Sequence, residues 1–387
     1  MLRSLILIAL TALILSCSND NDEADSDSIK TDSLSIRYAK NFKVYREGDH
    51  KIIEVLEPFP GATKSAKYRL VPRNTEPTNI KYSETIIKVP VQSLVCTSTT
   101  HIAPLDMLNV SDKLVGFPST QYISSKNVRK QVDNGITIEL GKDSDLNLEL
   151  LMDLSPELLM SYSMTGDYSK LTPIERIGIP TVMNAEFLEE TPLGRAEWIK
   201  FIALFFNKEE LADSIFNEIE SNYLNTIEQV GSAEKQPTVM SGVVYGDIWY
   251  TPGGQSWAAK FFKDAGANYL WQSDSTSGSI PLSFESVYEK AQNAEYWIGI
   301  ANYFSNEELK AQDNRYANFG SYKSGNLFTY NARAIENGGN DYFESGYSRP
   351  DIILNDLVKI LHPKVLLDHE LYYFRKLDNT NSSEEPK

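Results

Sequence analysis

The sequence contains few of the side chains that form disulfides or bind metal ions. Its 387 residues include two cysteines and four histidines. Two cysteines cannot build a disulfide framework, and His50, His101, His362 and His369 show no metal-ligand spacing. The strings typical of nucleotide-binding loops and of serine hydrolases are also absent. A bare metal ion would therefore need several further ligands around His101, and no motif supports an enzyme.

Positive charge is scarce as well. The chain has 37 lysines and arginines against 53 aspartates and glutamates, which gives a net charge of −16. This balance argues against a general nucleic-acid binder, because such a protein needs a basic face. Apolar residues make up 41% of the chain, as is typical of a globular protein. A chain of this length predicts roughly two or three domains.

The one long apolar run lies at the start of the chain. Residues 5–15 are too few for a comfortable transmembrane helix. They follow Arg3 and end in Ile14-Leu15-Ser16-Cys17, and the whole resembles the leader and lipobox of a bacterial lipoprotein. We therefore expect residues 1–16 to be a signal peptide and Cys17 to carry a lipid anchor. An ordinary secretory signal with a coincidental cysteine is the alternative.

The segment after the lipobox cannot form a core. Residues 17–35 are acidic and polar, which predicts a solvated tether. The acidic run also resembles the surface-export signal of some Gram-negative lipoproteins. Residues 378–387 are predicted to be a disordered tail. With Cys17 lipidated, Cys96 has no disulfide partner and is expected to be a small buried residue.

Residues 36–84 are predicted to form an N-terminal β appendage. Residues 42–46 and 51–55 alternate around Glu47-Gly48-Asp49, which is typical of a β-hairpin. Residues 68–71 add a possible third strand. We therefore expect a β-hairpin region ahead of the main part of the chain.

Short apolar runs alternate with helical segments on both sides of residues 191–231. We therefore expect a first α/β lobe over residues 85–190 and a second over residues 232–377, with buried, mostly parallel strands. The predicted strands are residues 91–96, 114–116, 158–160, 179–182, 238–245, 296–300 and 327–330. The predicted helices are residues 102–108, 147–154, 173–177, 255–265, 284–291, 306–311 and 350–361.

Residues 191–231 are predicted to join the lobes through a single long α-helix. The segment begins with Thr and Pro, which is typical of a helix start, and its apolar part up to Phe206 should be buried in the first lobe. A capping box over residues 207–210 then begins a second helix, residues 208–230, with an apolar stripe at i+4 steps. Each turn of a helix is held by its own hydrogen bonds, so we expect little closure of the lobes.

A weak internal repeat relates the two lobes. Asn147-Leu148-Glu149 and Ser283-Phe284-Glu285 each open a helix that leads into a buried strand. Together with the leader, the lipobox and two lobes around a long helix, this pattern resembles the substrate-binding proteins of ABC importers for ferric siderophores and cobalamin. The resemblance covers residues 85–377. It implies two Rossmann-like α/β lobes joined by a single long α-helix, with the N-terminal β-hairpin region outside the common core.

The resemblance also implies partners and a location. In this family a glutamate at the outer tip of each lobe docks onto arginines of the ABC permease dimer, and Glu149 and Glu285 match those positions. The alternative is that each carboxylate only complements the positive end of its own helix. The implied protein is periplasmic, anchored to a membrane by its lipid alone, and expected to be a monomer without a cofactor. A surface-exposed lipoprotein is the alternative location, and no nucleic-acid partner is expected.

Ligand contacts are expected from loops at the carboxyl ends of strands, where open α/β sheets bind ligands. The candidate residues are Thr99, His101 and Tyr162 in the first lobe and Tyr245, Trp249, Tyr250 and Arg333 in the second. The second-lobe aromatic residues would stack on a planar or apolar ligand. Arg333 would meet an anionic oxygen or form an ordinary surface salt bridge. Residues 338–346 are predicted to be a long flexible loop that either closes over the ligand or simply connects elements.

The resulting prediction is a solute-binding protein that captures a metal chelate. A ferric siderophore is the first candidate and cobalamin the second, and the residues hardly separate them. A binder of free metal ions would require several His, Asp or Glu side chains that converge on the cleft. A surface lipoprotein enzyme or an adhesion module is the alternative of a different class, and a filled cleft or buried Glu149 and Glu285 would favour it.

Overall fold

The computed structural model describes residues 30–31, 34–76, 84–167, 169, 171–231, 233 and 235–378. The predicted signal peptide, Cys17, most of the predicted tether and the predicted tail apart from Asp378 lie outside these residues. Within the described part of the chain, no helix is long and apolar enough to cross a membrane. The described residues form an N-terminal sheet, two α/β lobes and a helix pair between the lobes.

The N-terminal region is a five-stranded sheet. Its strands are β1 Lys30–Thr31, β2 Phe42–Glu47, β3 His50–Val55, β4 Ala66–Pro72 and β5 Glu84–Val89. They lie in this order across the sheet, with β4 and β5 parallel and the other neighbours antiparallel. The predicted hairpin is confirmed as β2 and β3. The region is larger than a hairpin, however, because β5 continues past residue 84 and pairs with β4.

The first lobe contains a parallel sheet with helices around it. Its strands are β6 Leu94–Cys96, β7 Leu114–Phe117, β8 Ile138–Glu139, β9 Gly141–Lys142, β10 Asp145–Leu146, β11 Leu158–Ser161 and β12 Thr181–Met183. Its helices are α1 Ile102–Met107, α2 Lys126–Asp133, α3 Leu148–Leu154 and α4 Thr172–Arg176. The sheet has the order β12-β11-β6-β7-β8 and is parallel throughout. Cys96 is fully buried in β6, as predicted.

Two helices join the lobes, α5 Pro192–Leu204 and α6 Glu209–Val230. The Thr191 hydroxyl caps α5 by accepting a hydrogen bond from the Gly194 N–H at 3.0 Å, as the Thr-Pro pair predicts. Asn207 then adopts a left-handed φ of 54° and turns the chain. α6 begins after Lys208, whose side chain makes no capping hydrogen bond, so the predicted capping box is wrong.

α6 is long enough to reach from the N-terminal sheet to the second lobe. Its 22 residues span roughly 33 Å at about 1.5 Å per residue. At its start Glu209 forms an ion pair with Lys51 of β3. Near its end the Tyr223 hydroxyl donates to Asp264 of the second lobe at 2.7 Å. The prediction of one long connecting helix is therefore confirmed.

The second lobe contains two sheets. Its strands are β13 Thr238–Met240, β14 Val243–Tyr245, β15 Ile248–Pro252, β16 Asn268–Tyr269, β17 Ser279–Leu282, β18 Tyr296–Ile298, β19 Leu327–Thr329 and β20 Arg375–Lys376. Its helices are α7 Trp257–Asp264, α8 Phe284–Ala291, α9 Asn306–Gln312, α10 Gly320–Ser324, α11 Asp341–Glu344 and α12 Pro350–Leu361. The main sheet has the order β16-β13-β18-β19-β20, with only β20 antiparallel. β14, β15 and β17 form a small antiparallel sheet.

The two main sheets share one topology. In the first lobe the strands lie in the order β7-β6-β11-β12, and in the second in the order β16-β13-β18-β19. In each set of four, the first strand along the chain is an inner one, the second lies on one side of it, and the last two lie on the other. β8 and β20 extend the two sheets beyond these sets. α3 and α8 lie at equivalent points, before β11 and before β18. The weak sequence repeat therefore corresponds to a structural repeat.

Two buried carboxylates attach the N-terminal region to the first lobe. Glu197 of α5 is fully buried and accepts hydrogen bonds from the backbone N–H groups of residues 37–39 at 2.7–3.0 Å. The Lys200 ammonium, also buried, donates to the same carboxylate at 3.0 Å. Glu189 accepts the N–H groups of residues 40–41 at 2.9–3.0 Å. A buried charge needs such partners, so these contacts hold the segment before β2 in place.

We predict that Glu197→Ala destabilises the fold strongly. The substitution leaves three backbone N–H groups without their acceptor and removes one of the two carboxylates that pair with the buried Lys200, the other being Asp213. Breaking a buried pair in this way lowers the free energy of unfolding by roughly 3–5 kcal/mol. Urea unfolding followed by circular dichroism measures the change. Glu228→Ala, an exposed position on α6, should change it by less than about 0.5 kcal/mol, and equal effects of the two variants would contradict the assignment.

Candidate ligand-binding cleft

A cavity of about 900 Å³ lies between the two lobes, and we call it the cleft. First-lobe residues line it at the ends of β6, β7 and β11, and second-lobe residues line it after β18 and β19. The cleft therefore lies at the carboxyl ends of parallel strands, where α/β sheets bind ligands. Its lining consists of Thr97, Ser98, Thr99, Phe117, Pro118, Ser119, Tyr122, Asp143, Tyr162, Ala301, Asn302, Phe304, Tyr330, Ala334, Ile335, Glu336, Gly338, Gly339, Asn340 and Phe343.

The lining is rich in aromatic rings and poor in charge. The rings belong to Phe117, Tyr122, Tyr162, Phe304, Tyr330 and Phe343. Among the described residues, the lining includes two carboxylates, Asp143 and Glu336, and no lysine, arginine or histidine. No group of three His, Cys, Asp or Glu side chains in the described part of the chain could hold a metal ion. The cleft suits a large, partly apolar ligand that brings any metal ion with it.

Two of the predicted ligand residues, Thr99 and Tyr162, line the cleft. Tyr162 follows β11, and its ring meets that of Phe187 edge-on with the centroids 6.4 Å apart. Burial raises the pKa of the Tyr162 phenol, with smaller contributions from two nearby carboxyl groups. The hydroxyl is therefore protonated at neutral pH and able to donate a hydrogen bond. Direct contact of either residue with a ligand stays a prediction.

The prediction that His101 faces the cleft is wrong. The side chain is fully buried at the start of α1, and neither ring nitrogen has a hydrogen-bond partner among the described residues. Burial lowers the pKa of the imidazole to about 3, so the ring is neutral at physiological pH. The loop after β6 does reach the cleft, through Thr97, Ser98 and Thr99. Its local sequence does not show which of its side chains point into the cleft.

The aromatic stretch of the second lobe does not point into the cleft as one unit. The stretch, residues 245–250, contains the end of β14, a turn and the start of β15. Side chains alternate between the two faces of a strand. Trp249 is therefore fully buried, where it stacks on Trp297 with ring centroids 5.3 Å apart and donates its indole N–H to the Ser241 carbonyl at 3.1 Å. Its predicted role in ligand binding is wrong. Tyr245 and Tyr250 are exposed and lie at a smaller pocket of the second lobe.

Arg333 lies outside the lining of the cleft. Its Nε donates to the Asp341 carboxylate at 2.6 Å, and its guanidinium lies 4.2 Å from the centroid of the Tyr372 ring. The structure therefore shows the salt bridge that was the alternative for this residue. The expected contact between Arg333 and an anionic ligand has no support in the geometry.

The sequence does not predict most of the six aromatic residues that line the cleft, which we call the aromatic wall. Tyr122 lies in a 3-10 turn, Phe304 follows β18, and Phe343 lies in α11. These segments are far apart in the chain and meet only because the two lobes face each other. The usable signal is that Phe117, Tyr162 and Tyr330 lie at or just after the carboxyl ends of predicted strands.

Residues 338–346 connect the two lobes across the cleft. The segment is not a plain loop, because it contains α11, which the Asn340 side chain caps by accepting a hydrogen bond from the Tyr342 N–H at 3.0 Å. Gly339 packs against the first lobe so closely that a Cβ there would lie 2.3 Å from the Tyr122 carbonyl oxygen. The segment therefore already contacts both lobes, whereas its movement over a ligand stays a prediction.

The buried carboxylate of Glu344 makes a hydrogen-bonded contact between the lobes. It accepts the Ser124 N–H at 2.6 Å and the Ser125 N–H at 2.7 Å, at the start of α2. The pKa of Glu344 is raised to about 8, chiefly by burial and to a smaller extent by Asp341 and Asp106, although the two N–H groups lower it. The protonation state of this interlobe contact therefore changes in the neutral to mildly alkaline range.

Arg195 of α5 makes a second contact with the other lobe. Its guanidinium lies against two aromatic rings that also contact each other, 4.9 Å from the centroid of Trp257 and 5.0 Å from that of Tyr347. Each such cation–π contact contributes about 0.5–2 kcal/mol. α5 is therefore attached to the second lobe by side chains as well as through α6.

Glu149 and Glu285 occupy equivalent, exposed positions in the two lobes. They lie in the first turns of α3 and α8, whose caps are the Asn147 and Ser283 side chains. Glu285 has a weak ion pair with Arg315, with 3.4 Å between Oε1 and Nη1. Both carboxylates are thus accessible to a partner, although a docking role stays a prediction.

Comparison with known proteins matches residues 94–334 to the periplasmic binding protein family. An uncharacterised lipoprotein of Methanocaldococcus jannaschii is 27% identical over 312 residues, which cover 78% of this chain and 72% of the relative. A possible iron-binding, periplasmic solute-binding protein of Staphylococcus epidermidis has a similar structure, with a TM-score of 0.54, 17% identity, and coverage of 70% of this chain and 99% of that one. The vitamin B12 binding protein of Vibrio cholerae is also similar, with a TM-score of 0.50, 12% identity, and coverage of 72% and 99%. At these identities the structures establish the fold alone.

We predict that the protein becomes less stable as the pH rises, because folding then requires Glu344 to take up a proton at a raised pKa. The folded chain, with a Glu344 pKa of about 8, binds a proton that the unfolded chain, with a pKa near about 4.3, has released. The free energy of unfolding contributed by this group is therefore complete below about pH 4 and is lost between about pH 4 and pH 8.

Urea unfolding of the wild type and of Glu344→Gln at about pH 5.5 and pH 8.5 tests this. Between these two pH values the free energy of unfolding of the wild type should fall by roughly 2–4 kcal/mol more than that of the variant, because glutamine does not titrate. Glu307→Gln, an exposed position on α9, should behave as the wild type. The same pH dependence in wild type and Glu344→Gln would contradict the prediction.

Proposed function

Because the chain belongs to the periplasmic binding protein family, we propose that it captures a metal chelate in the cleft and delivers it to an ABC permease. The family consists of solute-binding proteins of ABC transporters, which are not enzymes. The cleft carries the proposal, since it has about 900 Å³ of space and is lined by both lobes at strand carboxyl ends. Similar structures described as iron-binding and vitamin B12 binding support a chelate as the ligand.

The charge of the cleft favours a neutral or cationic chelate over an anionic one. The described lining residues include no lysine, arginine or histidine, and Arg333 is engaged by Asp341. An anionic ligand would therefore lose hydration without gaining a counter-charge. Ferric tris-hydroxamates are neutral, whereas ferric tris-catecholates and haem are anionic. We therefore propose a ferric siderophore of neutral or cationic type first and cobalamin second.

Lipid anchoring through Cys17 is part of the proposal. The leader and lipobox support it, and the similar lipoprotein of Methanocaldococcus jannaschii is consistent with it. The mature protein would be a monomer held at a membrane in the periplasm or exposed at the cell surface. An enzyme or an adhesion module has less support, because the cleft is open and Glu149 and Glu285 are exposed.

We propose that Glu149 and Glu285 dock the protein onto the permease. Their helices lead into β11 and β18, which correspond in the shared topology of the two lobes. Two carboxylates at corresponding positions on two lobes suit two arginines related by the symmetry of a permease dimer. Such pairs form charge-assisted and often bidentate hydrogen bonds.

We predict that the protein binds neutral chelates and rejects anionic ones. Isothermal titration calorimetry with a ferric tris-hydroxamate, cobalamin, a ferric tris-catecholate and haem should give heat of binding for one or both of the first two. Tyr162→Ala should weaken binding about tenfold, because the aromatic contact in the cleft is lost. Tyr45→Ala, on β2 and away from the cleft, should leave it unchanged. Preference for the catecholate or haem would contradict the charge argument, and no binding of any chelate would contradict the function.

We predict that reversing both docking charges abolishes uptake without affecting capture. Glu149→Lys with Glu285→Lys should repel the permease arginines while the affinity for the ligand is kept, since neither residue lines the cleft. Uptake of the radiolabelled chelate by cells and calorimetry on the purified protein measure the two quantities.

The matched control is the double variant Glu175→Lys with Glu307→Lys. These are exposed glutamates in the first turns of α4 and α9, one in each lobe, and so carry the same charge change. Uptake should be normal in this control. Normal uptake in the Glu149 and Glu285 variant, or equal losses in both variants, would refute docking through these positions.

A further inference from the structure

The second lobe contains a smaller cavity of about 260 Å³, which we call the side pocket. Ser241 and Gly242, which follow β13, and Gly299, which follows β18, line it. β13 and β18 are neighbours in the sheet, and the chain leaves β13 toward β16 on the opposite side. Open α/β sheets bind ligands outside the carboxyl ends of strands at such a switch point. The carboxyl ends of β13 and β18 therefore form a potential binding site that lies beside the cleft.

The side pocket is apolar and uncharged. α7 contributes Ala258, Phe261 and Phe262, and Leu357 and Phe374 lie in other parts of its wall. No Asp, Glu, Lys, Arg or His side chain occurs among the described residues that line it. Its volume exceeds the roughly 150 Å³ of a cavity that holds a benzene ring. An aryl or branched alkyl group therefore fits, whereas a charged group would lose its hydration without compensation.

The lining of the side pocket reaches the surface at two tyrosines. Tyr245 and Tyr250 both line it and are 83% and 40% exposed. Gly242 lies beneath them with a φ of 85°, and a Cβ there would lie 1.9 Å from the Tyr250 carbonyl oxygen. The hairpin of β14 and β15 therefore packs directly on the strand end, and only glycine allows this close approach.

The side pocket adjoins the cleft. Ala301 and Tyr330 line both cavities. The Tyr330 ring stacks on that of Tyr342 with centroids 4.8 Å apart and planes at 19°, so it forms a fixed edge between them. A ligand in the cleft thus lies next to the side pocket, with Tyr330 and Ala301 at their common border.

We propose that the side pocket binds an uncharged aryl or alkyl arm of the same ligand whose chelating core occupies the cleft. The inference rests on the proposed function for the nature of the core. The arm is specified by this chain alone, through the volume, the lack of charge and the shared Tyr330 edge. The substrate class is therefore a chelate with one hydrophobic substituent and not a uniformly polar one.

Two neutral chelates that differ only in their substituents test the inference. Tris(acetohydroxamato)iron(III) carries methyl groups and tris(benzohydroxamato)iron(III) carries phenyl groups, and calorimetry gives the affinity of each. The wild type should bind the phenyl chelate about tenfold more tightly or better. Ala258→Leu, which fills the side pocket, should remove this preference and change the affinity for the methyl chelate by less than about twofold. Ala311→Leu, an exposed position on α9 that lines neither cavity, should keep the preference.

Toluene separates this inference from the proposed function. In the wild type it should shift the backbone amide signals of Gly242 and Gly299 in NMR spectra, and Ala258→Leu should abolish the shifts. If no chelate binds but toluene does so, the proposed function fails and the side pocket is still supported as a site for an apolar arm. If toluene leaves both signals unchanged in the wild type, the inference is overturned. Equal affinities of the wild type for the two chelates also overturn it.

Discussion

The packing of α5 and α6 is the constraint on which the rest of the structure depends. α5 is buried along most of its length, and it is held to the N-terminal sheet by Glu197 and to the second lobe by Arg195. α6 then carries the chain over roughly 33 Å between the lobes. Because both helices are fixed by side chains on each side, the carboxyl edges of the two main sheets face one another. The cleft is a consequence of that arrangement.

The two side-chain contacts between the lobes respond differently to conditions. The guanidinium of Arg195 stays charged at any physiological pH, so its contact with Trp257 and Tyr347 is constant. The Glu344 contact changes its protonation near pH 8 and lies on the α11 segment that lines the cleft. Since α6 resists bending, we expect access to the cleft to depend on this segment more than on a hinge between the lobes.

The sequence was sufficient where a local pattern determines the structure. α8 and α12 have the bounds that capping residues and apolar spacing predict. The predicted strands correspond to β6, β7, β11, β12, β13 with β14, β18 and β19, whereas others, among them β15 and β16, were not predicted. It was insufficient where a side chain's direction depends on distant partners. Trp249 was expected in the cleft because it lies between glycines, yet strand alternation and Trp297 place it in the core. The aromatic wall has no local signal, since its residues come from segments that meet only after folding.

Charge and shape together restrict the ligand at three distances. The net charge of −16 disfavours anions at long range, although salt screens this effect beyond about 8–10 Å. Within the cleft, the described lining residues include no lysine, arginine or histidine to compensate an anion at contact, while tyrosine hydroxyls are able to donate hydrogen bonds without charge. The lining of the side pocket is uncharged, so binding there would be favoured by apolar surface alone. For the proposed function, a chelate that hides its metal, carries no net negative charge and bears a hydrophobic arm would satisfy all three conditions, whereas a strongly anionic one would fail the first two.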